Sequence, residues 1–227
     1  MQSLHWKSLA EMSTPKLTPD QIAQVSELVA GYISAQREKY GPRAVPLSAQ
    51  QRAPLEPFFA REVIDSVRVL VLEGERVPNP EFYPMLRGLG FKNLPDQSAM
   101  GAITFCEVVV SHERCTAGLL FHELVHVEQY RHLGIPCFSE LYTRGFLNGG
   151  SYEAIPLEGN AYSLTDRFRR DPRRGFSVQA EVAQWLADGR LWLPRTIFCK
   201  ASGTFPSLMR LPRRNGTRPR TFRPDST

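Results

Sequence analysis

Cysteine and long apolar runs are both scarce in this chain. Its 227 residues include four cysteines, and no two of them have the C-x-x-C spacing of a redox or zinc motif. The chain is also too long for these four to indicate the disulfide framework of a small secreted domain. No segment contains 18 uninterrupted apolar residues, and the first residues lack the apolar stretch of a signal peptide. We therefore expect a cytoplasmic protein with no membrane span.

Internal repeats and a phosphate-cradling glycine loop are also absent, which argues against a solenoid and a nucleotide-binding P-loop. The net charge of +5 is unevenly distributed. From Pro194 to the end there are eight basic residues and one acidic residue, so this tail carries +7 and the rest of the chain −2. The tail has five prolines and little periodicity, which predicts disorder and at most non-specific contact with nucleic acid.

The most informative residues are His122-Glu123-Leu124-Val125-His126. On a helix, two histidines four positions apart project from one face, about one turn apart, and can bind the same metal ion. Glu123 lies beside them, where its carboxylate can polarise a water molecule. This H-E-x-x-H pattern is typical of zinc hydrolases, in which the glutamate is the general base. We therefore predict that His122 and His126 bind Zn²⁺ and that Glu123 is catalytic.

The motif requires a helix, and residues 116–133 have the features of one. Thr116 can cap its start, Gly134 can end it, and no proline interrupts it. The helix is apolar on nearly all sides, which predicts that it lies in the core. The alternative is that the two histidines are buried polar residues hydrogen-bonded to neighbours. Burying two imidazoles and a carboxylate is costly without partners, and this cost favours a metal ion as the partner.

Residues 102–110 are rich in β-branched and aromatic side chains and predict a strand just before this helix. A strand leading into an H-E-x-x-H helix resembles the zincin metallopeptidases, and residues 121–130 resemble the HELxHVxQ segment of uncharacterised bacterial metallopeptidase-like domains. The resemblance covers about residues 67–185. It implies a zincin-like α+β fold, in which a small antiparallel or mixed sheet packs on the H-E-x-x-H helix. It also implies one zinc ion per chain and a peptide substrate that pairs with an edge strand.

A catalytic zinc ion usually takes three protein ligands and one water molecule, so a third ligand is needed. His132 has the spacing of the metzincin ligand, but Gln129 replaces the glycine that would break the helix there. A continuous helix carries His132 about 15 Å along the axis from His122, too far to share an ion. We favour Glu158, because Pro156 predicts a new helix whose buried stripe Glu158 borders, and a carboxylate there needs a counter-charge.

Glu153, which precedes Pro156, is the alternative third ligand. The resemblance to glutamate-zincins, whose third ligand is a glutamate on a later helix, supports Glu158. Those enzymes have an acidic residue four positions after this ligand, where the present chain has Tyr162. Asp166, one turn further along, is therefore our candidate for a residue that orients a ligand histidine.

Stabilisation of a transition state requires a hydrogen-bond donor aimed at the developing oxyanion. Tyr152 is favoured for this role because it lies on a predicted loop close to Glu158 in the sequence. The alternative donors are Tyr142, Tyr162 and His112.

Gln129 shares the helix face of His122 and His126, at spacings of seven and three residues. We therefore expect its side chain to point toward the same cavity. The alternative is a buried amide that ties the helix to a neighbouring backbone.

Together these features predict a zinc-dependent hydrolase, most simply a peptidase that cleaves peptide bonds with a metal-activated water. Two alternatives stay open: a zinc hydrolase of a non-peptide amide or ester, and a zinc-stabilised binding module that does not cleave. Glu123 favours an enzyme, because a structural zinc site needs no base. We predict an N-terminal helix and linker over residues 1–46, the metal-binding catalytic domain over residues 47–193 and the basic tail over residues 194–227.

Overall fold

The computed structural model describes residues 16–189, so the predicted tail lies outside the described residues. The predicted α+β class, with a small mixed sheet, is confirmed for the part described. The helices are α1 (Pro19–Tyr40), α2 (Ala49–Arg52), α3 (Arg61–Ser66), α4 (Tyr83–Gly88), α5 (Ala117–Gly149), α6 (Pro156–Arg170) and α7 (Val178–Ala187). The strands are β1 (Val45–Pro46), β2 (Arg68–Val71), β3 (Ala102–Phe105) and β4 (Val108–Ser111).

The sheet has the order β1-β2-β4-β3. Strands β2 and β4 pair in parallel, whereas β1 and β3 run antiparallel to their neighbours. Every residue of β4 is buried, as expected of a central strand covered on both faces. Strand β3 is an edge strand and contacts α5, so an edge of the sheet lies beside the helix that carries the H-E-x-x-H motif.

The predicted single strand over residues 102–110 is wrong: this segment is a hairpin. Ala102 pairs with Ser111 and Phe105 pairs with Val108, which leaves Cys106 and the following glutamate as the turn. Cys106 has a φ of 59°, the left-handed conformation that tight hairpin turns require. The turn contains neither glycine nor asparagine, so the usual sequence signal for such a hairpin is missing.

Helix α1 starts at the predicted capping box, in which Thr18 and Gln21 exchange side-chain to backbone hydrogen bonds. It packs along α5 and against β3 and β4. Two contacts hold it in place. The Tyr32 hydroxyl donates to the carbonyl of Pro78 at 2.9 Å, and Arg37 forms a bidentate ion pair with Glu107 in the hairpin turn. Because of these contacts, α1 is a fixed part of the domain, packed against β3 and β4 next to α5.

Helix α5 is kinked at Gly134, the residue at which the sequence predicts its end. This glycine has a φ of 67° and a ψ of 169°, values outside the helical region. A second helical segment begins immediately, with Pro136 in its first turn, where a missing backbone N–H costs no hydrogen bond. The helix then continues to Gly149 and extends well beyond the predicted end.

Helix α6 begins at Pro156, as predicted, and Ile155 before it provides no side-chain cap. A Cβ atom on Gly145 of α5 would lie 2.6 Å from Cδ of Pro156, so the start of α6 approaches α5 closely only because residue 145 is glycine. This approach places Glu158, in the first turn of α6, against the H-E-x-x-H face of α5. The predicted apolar stripe of α6 is buried in the core: Leu157, Ala161, Leu164 and Phe168.

Aromatic packing also fixes α6 on α5. Phe121 stacks on Phe168 with a centroid separation of 4.5 Å, and Phe58 contacts both rings edge-on. Such ring pairs contribute about 0.5–1.5 kcal/mol each beyond the apolar area they bury. Within residues 16–189, no helix combines the length and the apolar character needed to cross a membrane.

Candidate metal centre

Three buried side chains from α5 and α6 converge on one point. Their ligand atoms form a nearly equilateral triangle: Nε2 of His122 and Nε2 of His126 are 3.2 Å apart, and Oε2 of Glu158 lies 3.5 and 3.3 Å from them. Among residues 16–189, these three form a group of side chains close enough to hold one metal ion. The structure therefore brings together the three residues that the sequence predicts as ligands.

The dimensions of this triangle suit a tetrahedral zinc ion. With metal–ligand distances of about 2.0–2.1 Å, two ligand atoms of a tetrahedron are separated by about 3.3–3.4 Å. The three separations in the structure lie within about 0.2 Å of that value. Catalytic zinc sites use three protein ligands and leave the fourth position open, whereas structural sites use four. The residues present thus fit a zinc ion of the catalytic kind.

Gln129 orients His126 for metal binding. Its amide nitrogen donates to the carbonyl of Leu157 at 2.9 Å and to Oδ1 of Asn160 at 3.0 Å, so its Oε1 must face the other way. Oε1 lies 2.8 Å from Nδ1 of His126 and can only accept a hydrogen bond. Nδ1 of His126 therefore carries a proton, and in the neutral ring Nε2 has a lone pair directed at the triangle.

Thr165 has the same function for His122. Its hydroxyl donates to the carbonyl of Ala161 at 2.8 Å and lies 3.4 Å from Nδ1 of His122, from which it accepts. Asp166, the residue predicted for this role, is exposed on α6, and Thr165 makes the contact with His122 instead. Asp166 follows Glu158 by eight positions, which places it about 80° around the helix axis from Glu158. Thr165 follows Glu158 by seven positions, so both lie on one helical face. That spacing is the signal in the sequence that identifies Thr165.

The centre attracts a positive charge. Oε2 of Glu158 is buried and has no hydrogen-bond donor. Burial raises the pKa of Glu158, but His126 and His122 outweigh burial and hold that pKa well below its usual range. Burial likewise lowers the pKa of His126, and the Glu158 carboxylate outweighs it and raises that pKa to about 9. The attraction that holds a proton on His126 is equally available to a metal ion that replaces the proton.

The alternative ligands lie outside this group. Glu153 is exposed on the loop that precedes α6, and His132 is exposed near the end of the first segment of α5. Neither belongs to the cluster of possible metal ligands. The helix continues through Gln129 to Gly134, which is the geometric reason that His132 is carried away from His122.

Glu123 lies beside the centre and is not part of the ligand triangle. Thr104, on the edge strand β3, donates a hydrogen bond from its hydroxyl to Oε2 of Glu123 at 2.7 Å. Both residues are buried and line one cavity with His126 and Glu158. Sequence patterns do not identify Thr104, because only the tertiary structure brings β3 next to this turn of α5.

The cavity next to the centre contains two of the predicted oxyanion donors, Tyr152 and Tyr142. Burial and the charge of Glu158 raise the pKa of Tyr152 far above its usual range. Tyr152 therefore keeps its proton and is a hydrogen-bond donor. Tyr162 is 45% exposed, and its ring lies against the imidazole of His122 with a centroid separation of 4.6 Å.

The remaining candidate donor, His112, uses both of its ring nitrogens in contacts with backbone groups. Its Nε2 accepts from the backbone N–H of Val77 at 2.9 Å, and its Nδ1 lies 2.6 Å from the carbonyl of Met100. Both ring nitrogens are therefore satisfied by backbone groups, and His112 ties two loops together. It is not among the residues that line the cavity.

Comparison with known proteins adds no relative. No family model matches the chain, and neither a curated protein nor a solved structure matches it. The resemblance to zincins stays a prediction, and the functional argument depends on the geometry of the centre.

Proposed function

We propose that this protein is a zinc-dependent hydrolase that cleaves peptide or other amide bonds. The observation that carries the proposal is the buried triangle of His122, His126 and Glu158, with the separate carboxylate of Glu123 on the adjoining cavity. Two imidazoles and one carboxylate are a donor set of catalytic zinc sites. One such triangle among the described residues corresponds to one zinc ion per chain.

A zinc ion held by these residues would lower the pKa of a coordinated water to about 7 and would polarise a substrate carbonyl. Glu123 is the general base in this proposal: its carboxylate accepts the proton of the attacking water and delivers it to the leaving amine. Thr104 holds one carboxylate oxygen of Glu123 and so positions the base relative to the cavity. Tyr152 donates a hydrogen bond to the oxyanion that develops on the substrate carbonyl.

A peptidase of the zincin kind is the form of this proposal that the fold supports best. Edge strand β3 lies beside α5, runs antiparallel to its neighbour and contributes Thr104 to the cavity. An edge strand in this position offers backbone groups to an amide substrate. Hydrolysis of a small amide or ester uses the same ligands and base, so the substrates tested should include both classes.

The rival proposal, a zinc-stabilised binding module, explains fewer of the contacts. A structural zinc site is usually closed by four ligands, and the cluster within residues 16–189 contains three. A structural site also does not need the buried carboxylate of Glu123, which costs free energy to bury and does not bind the ion. Hydrolysis by the intact chain is the observation that separates the two proposals.

The decisive test combines zinc content with hydrolysis. Wild-type protein, Glu123→Gln and the control Glu153→Gln are prepared without a histidine tag, and zinc is measured by emission spectrometry. Each protein is then incubated with a peptide library and a panel of small amides. We expect about one equivalent of zinc in all three proteins, and hydrolysis that is lower by roughly 10²–10⁴-fold in Glu123→Gln alone.

Three outcomes contradict parts of the proposal. Zinc below about 0.2 equivalents after supplementation overturns the metal centre. Equal hydrolysis by the wild type and Glu123→Gln means that Glu123 is not the base. Full zinc content with no cleavage of any substrate by the wild type favours the binding module.

A further inference from the structure

The cavity beside the centre has a closed wall. Val29, Tyr32 and Ile33 of α1 line it, opposite residues 102–105 of β3. Because the contacts of Tyr32 and Arg37 fix α1, this wall is part of the fold. The centre itself is nearly enclosed: His122 is 8% exposed, His126 5%, and Glu123 and Glu158 4% each.

The cavity is also small. Its volume is about 90 Å³. A protein cavity of about 150 Å³ accommodates a benzene molecule, so this one suits a branched aliphatic group of about four carbons. An extended polypeptide does not fit in such a space on the side of α1. The part of a substrate that lies in the cavity is therefore small.

The residues that line the cavity disfavour a charged ligand. Most of its side chains are aromatic or aliphatic, and no lysine or arginine among residues 16–189 contributes to it. The two carboxylates, Glu123 and Glu158, repel an anion. Their partners are already supplied by Thr104 and the histidines, so a buried ammonium group gains too little to offset its loss of hydration.

One polar group in the lining lacks a partner. Gln97 is 7% exposed, and its Oε1 is buried with no hydrogen-bond donor. The backbone N–H of Gln97, in contrast, is paired and donates to Oδ1 of Asn79 at 2.8 Å. A buried acceptor without a donor is destabilising, and an N–H group on a ligand would offset this cost.

We infer that the cavity binds a compact, uncharged acyl-amide group, whose aliphatic part fills the apolar wall and whose N–H donates to Gln97 Oε1. This inference rests on the proposed function and names its substrate class. Gln97 and Val29 are then residues that determine specificity.

The test measures binding of zinc-directed hydroxamates to the zinc-loaded full chain by calorimetry. Acetohydroxamate lacks the acyl-amide group, so its affinity reports only binding to the open position on the metal. N-isobutyrylglycine hydroxamate adds an aliphatic amide, its N-methyl analogue removes the N–H, and N-succinylglycine hydroxamate adds a carboxylate. We expect the isobutyryl compound to bind at least about tenfold more tightly than acetohydroxamate and the succinyl compound. N-methylation should weaken binding roughly fivefold.

Three variants assign the effects to residues. Gln97→Leu should make the N–H and N-methyl compounds bind equally. Val29→Trp should narrow the cavity and remove the gain in affinity from the isobutyryl group. Leu28→Trp is the matched control, because Leu28 is 40% exposed and does not line the cavity.

The outcomes separate this inference from the proposed function. If acetohydroxamate binds and the four compounds have equal affinities in the wild type, the inference is wrong and the metal centre stands. If the succinyl compound binds most tightly, the cavity recognises an anion and the inference is again wrong. If acetohydroxamate does not bind the zinc-loaded protein, the open metal position is wrong, and the proposed function and this inference are both overturned.

Discussion

Helix α5 buries two glutamates, Glu123 and Glu128, whose surroundings differ. Glu123 faces the cavity and accepts a hydrogen bond from Thr104 at 2.7 Å. Glu128 is fully buried on another side of the helix, and neither of its carboxylate oxygens has a hydrogen-bond donor. The nearest cation to Glu128 in an ion pair is Arg131, with Nε 3.7 Å from Oε2. Burial alone therefore does not indicate a functional site; the partners of the buried group do.

The largest effect should come from Glu158, the buried carboxylate that faces both imidazoles. Glu158→Ala leaves two imidazoles for the metal, so we expect the affinity for zinc to fall more than about 100-fold, beyond the effect of losing an orienting residue. Competition titration with a chelator measures it. Glu153→Ala and His132→Ala should leave the affinity unchanged, and the reverse result would show that one of those residues is the third ligand.

Loss of the partner of Glu123 should have the next largest effect. Thr104→Val keeps the shape of the side chain and removes the hydroxyl that positions the base. We expect hydrolysis to fall roughly 10–100-fold with zinc content unchanged. The measurement is the rate constant on a substrate identified from the library, with Thr104→Ser as the variant that restores the hydroxyl. Equal rates for Thr104→Val and the wild type would mean that Glu123 needs no positioning by β3.

The residues that orient the histidines provide a third comparison. Gln129→Met removes the acceptor for Nδ1 of His126, and we expect zinc affinity to fall roughly 10–100-fold. Asp166→Asn is the contrasting variant, since Asp166 is exposed and Thr165 makes the contact with His122. Its zinc affinity should match the wild type in the same chelator titration. A loss of affinity in Asp166→Asn would show that Asp166 does orient a ligand histidine.

The smallest effect, and the one of opposite sign, should come from Glu128. Glu128→Leu replaces a buried carboxylate without a hydrogen bond by an apolar side chain of similar size. We expect the free energy of unfolding to rise by about 1 kcal/mol, which raises the melting temperature by about 2–4 °C. Zinc content should not change. A lower melting temperature in a calorimetric scan would show that neighbouring groups stabilise the buried carboxylate of Glu128 about as well as Thr104 stabilises that of Glu123.

Local spacing explains how much of this site can be predicted from the sequence. His122, Glu123 and His126 lie within two turns of one helix, so their relative positions follow from helix geometry alone. Pro156 and the apolar stripe after it predict both the start of α6 and the place of Glu158 in its first turn. The caps at Thr18 and Thr116 are equally predictable, because each depends on residues three positions apart.

The parts that sequence could not predict depend on contacts between distant segments. Thr104 reaches Glu123 across 19 residues, and Gln97 lines the cavity only because its loop folds toward α1 and α5. The hairpin at Cys106 lacks the usual glycine or asparagine, so the run of β-branched and aromatic residues suggested one strand. Helical spacing could have identified Thr165 from the sequence, because it lies two turns from Glu158 on the same face.

Gly145 determines how far this architecture can vary in evolution. Any β-carbon at position 145 would displace Pro156, and with it the turn that carries Glu158, although residue 145 contributes no functional group. A relative that keeps Pro156 and this approach of α6 to α5 is therefore expected to have a glycine 19 positions after His126 and 13 positions before Glu158. A search signature for such relatives should include this glycine together with H-E-x-x-H and the later glutamate.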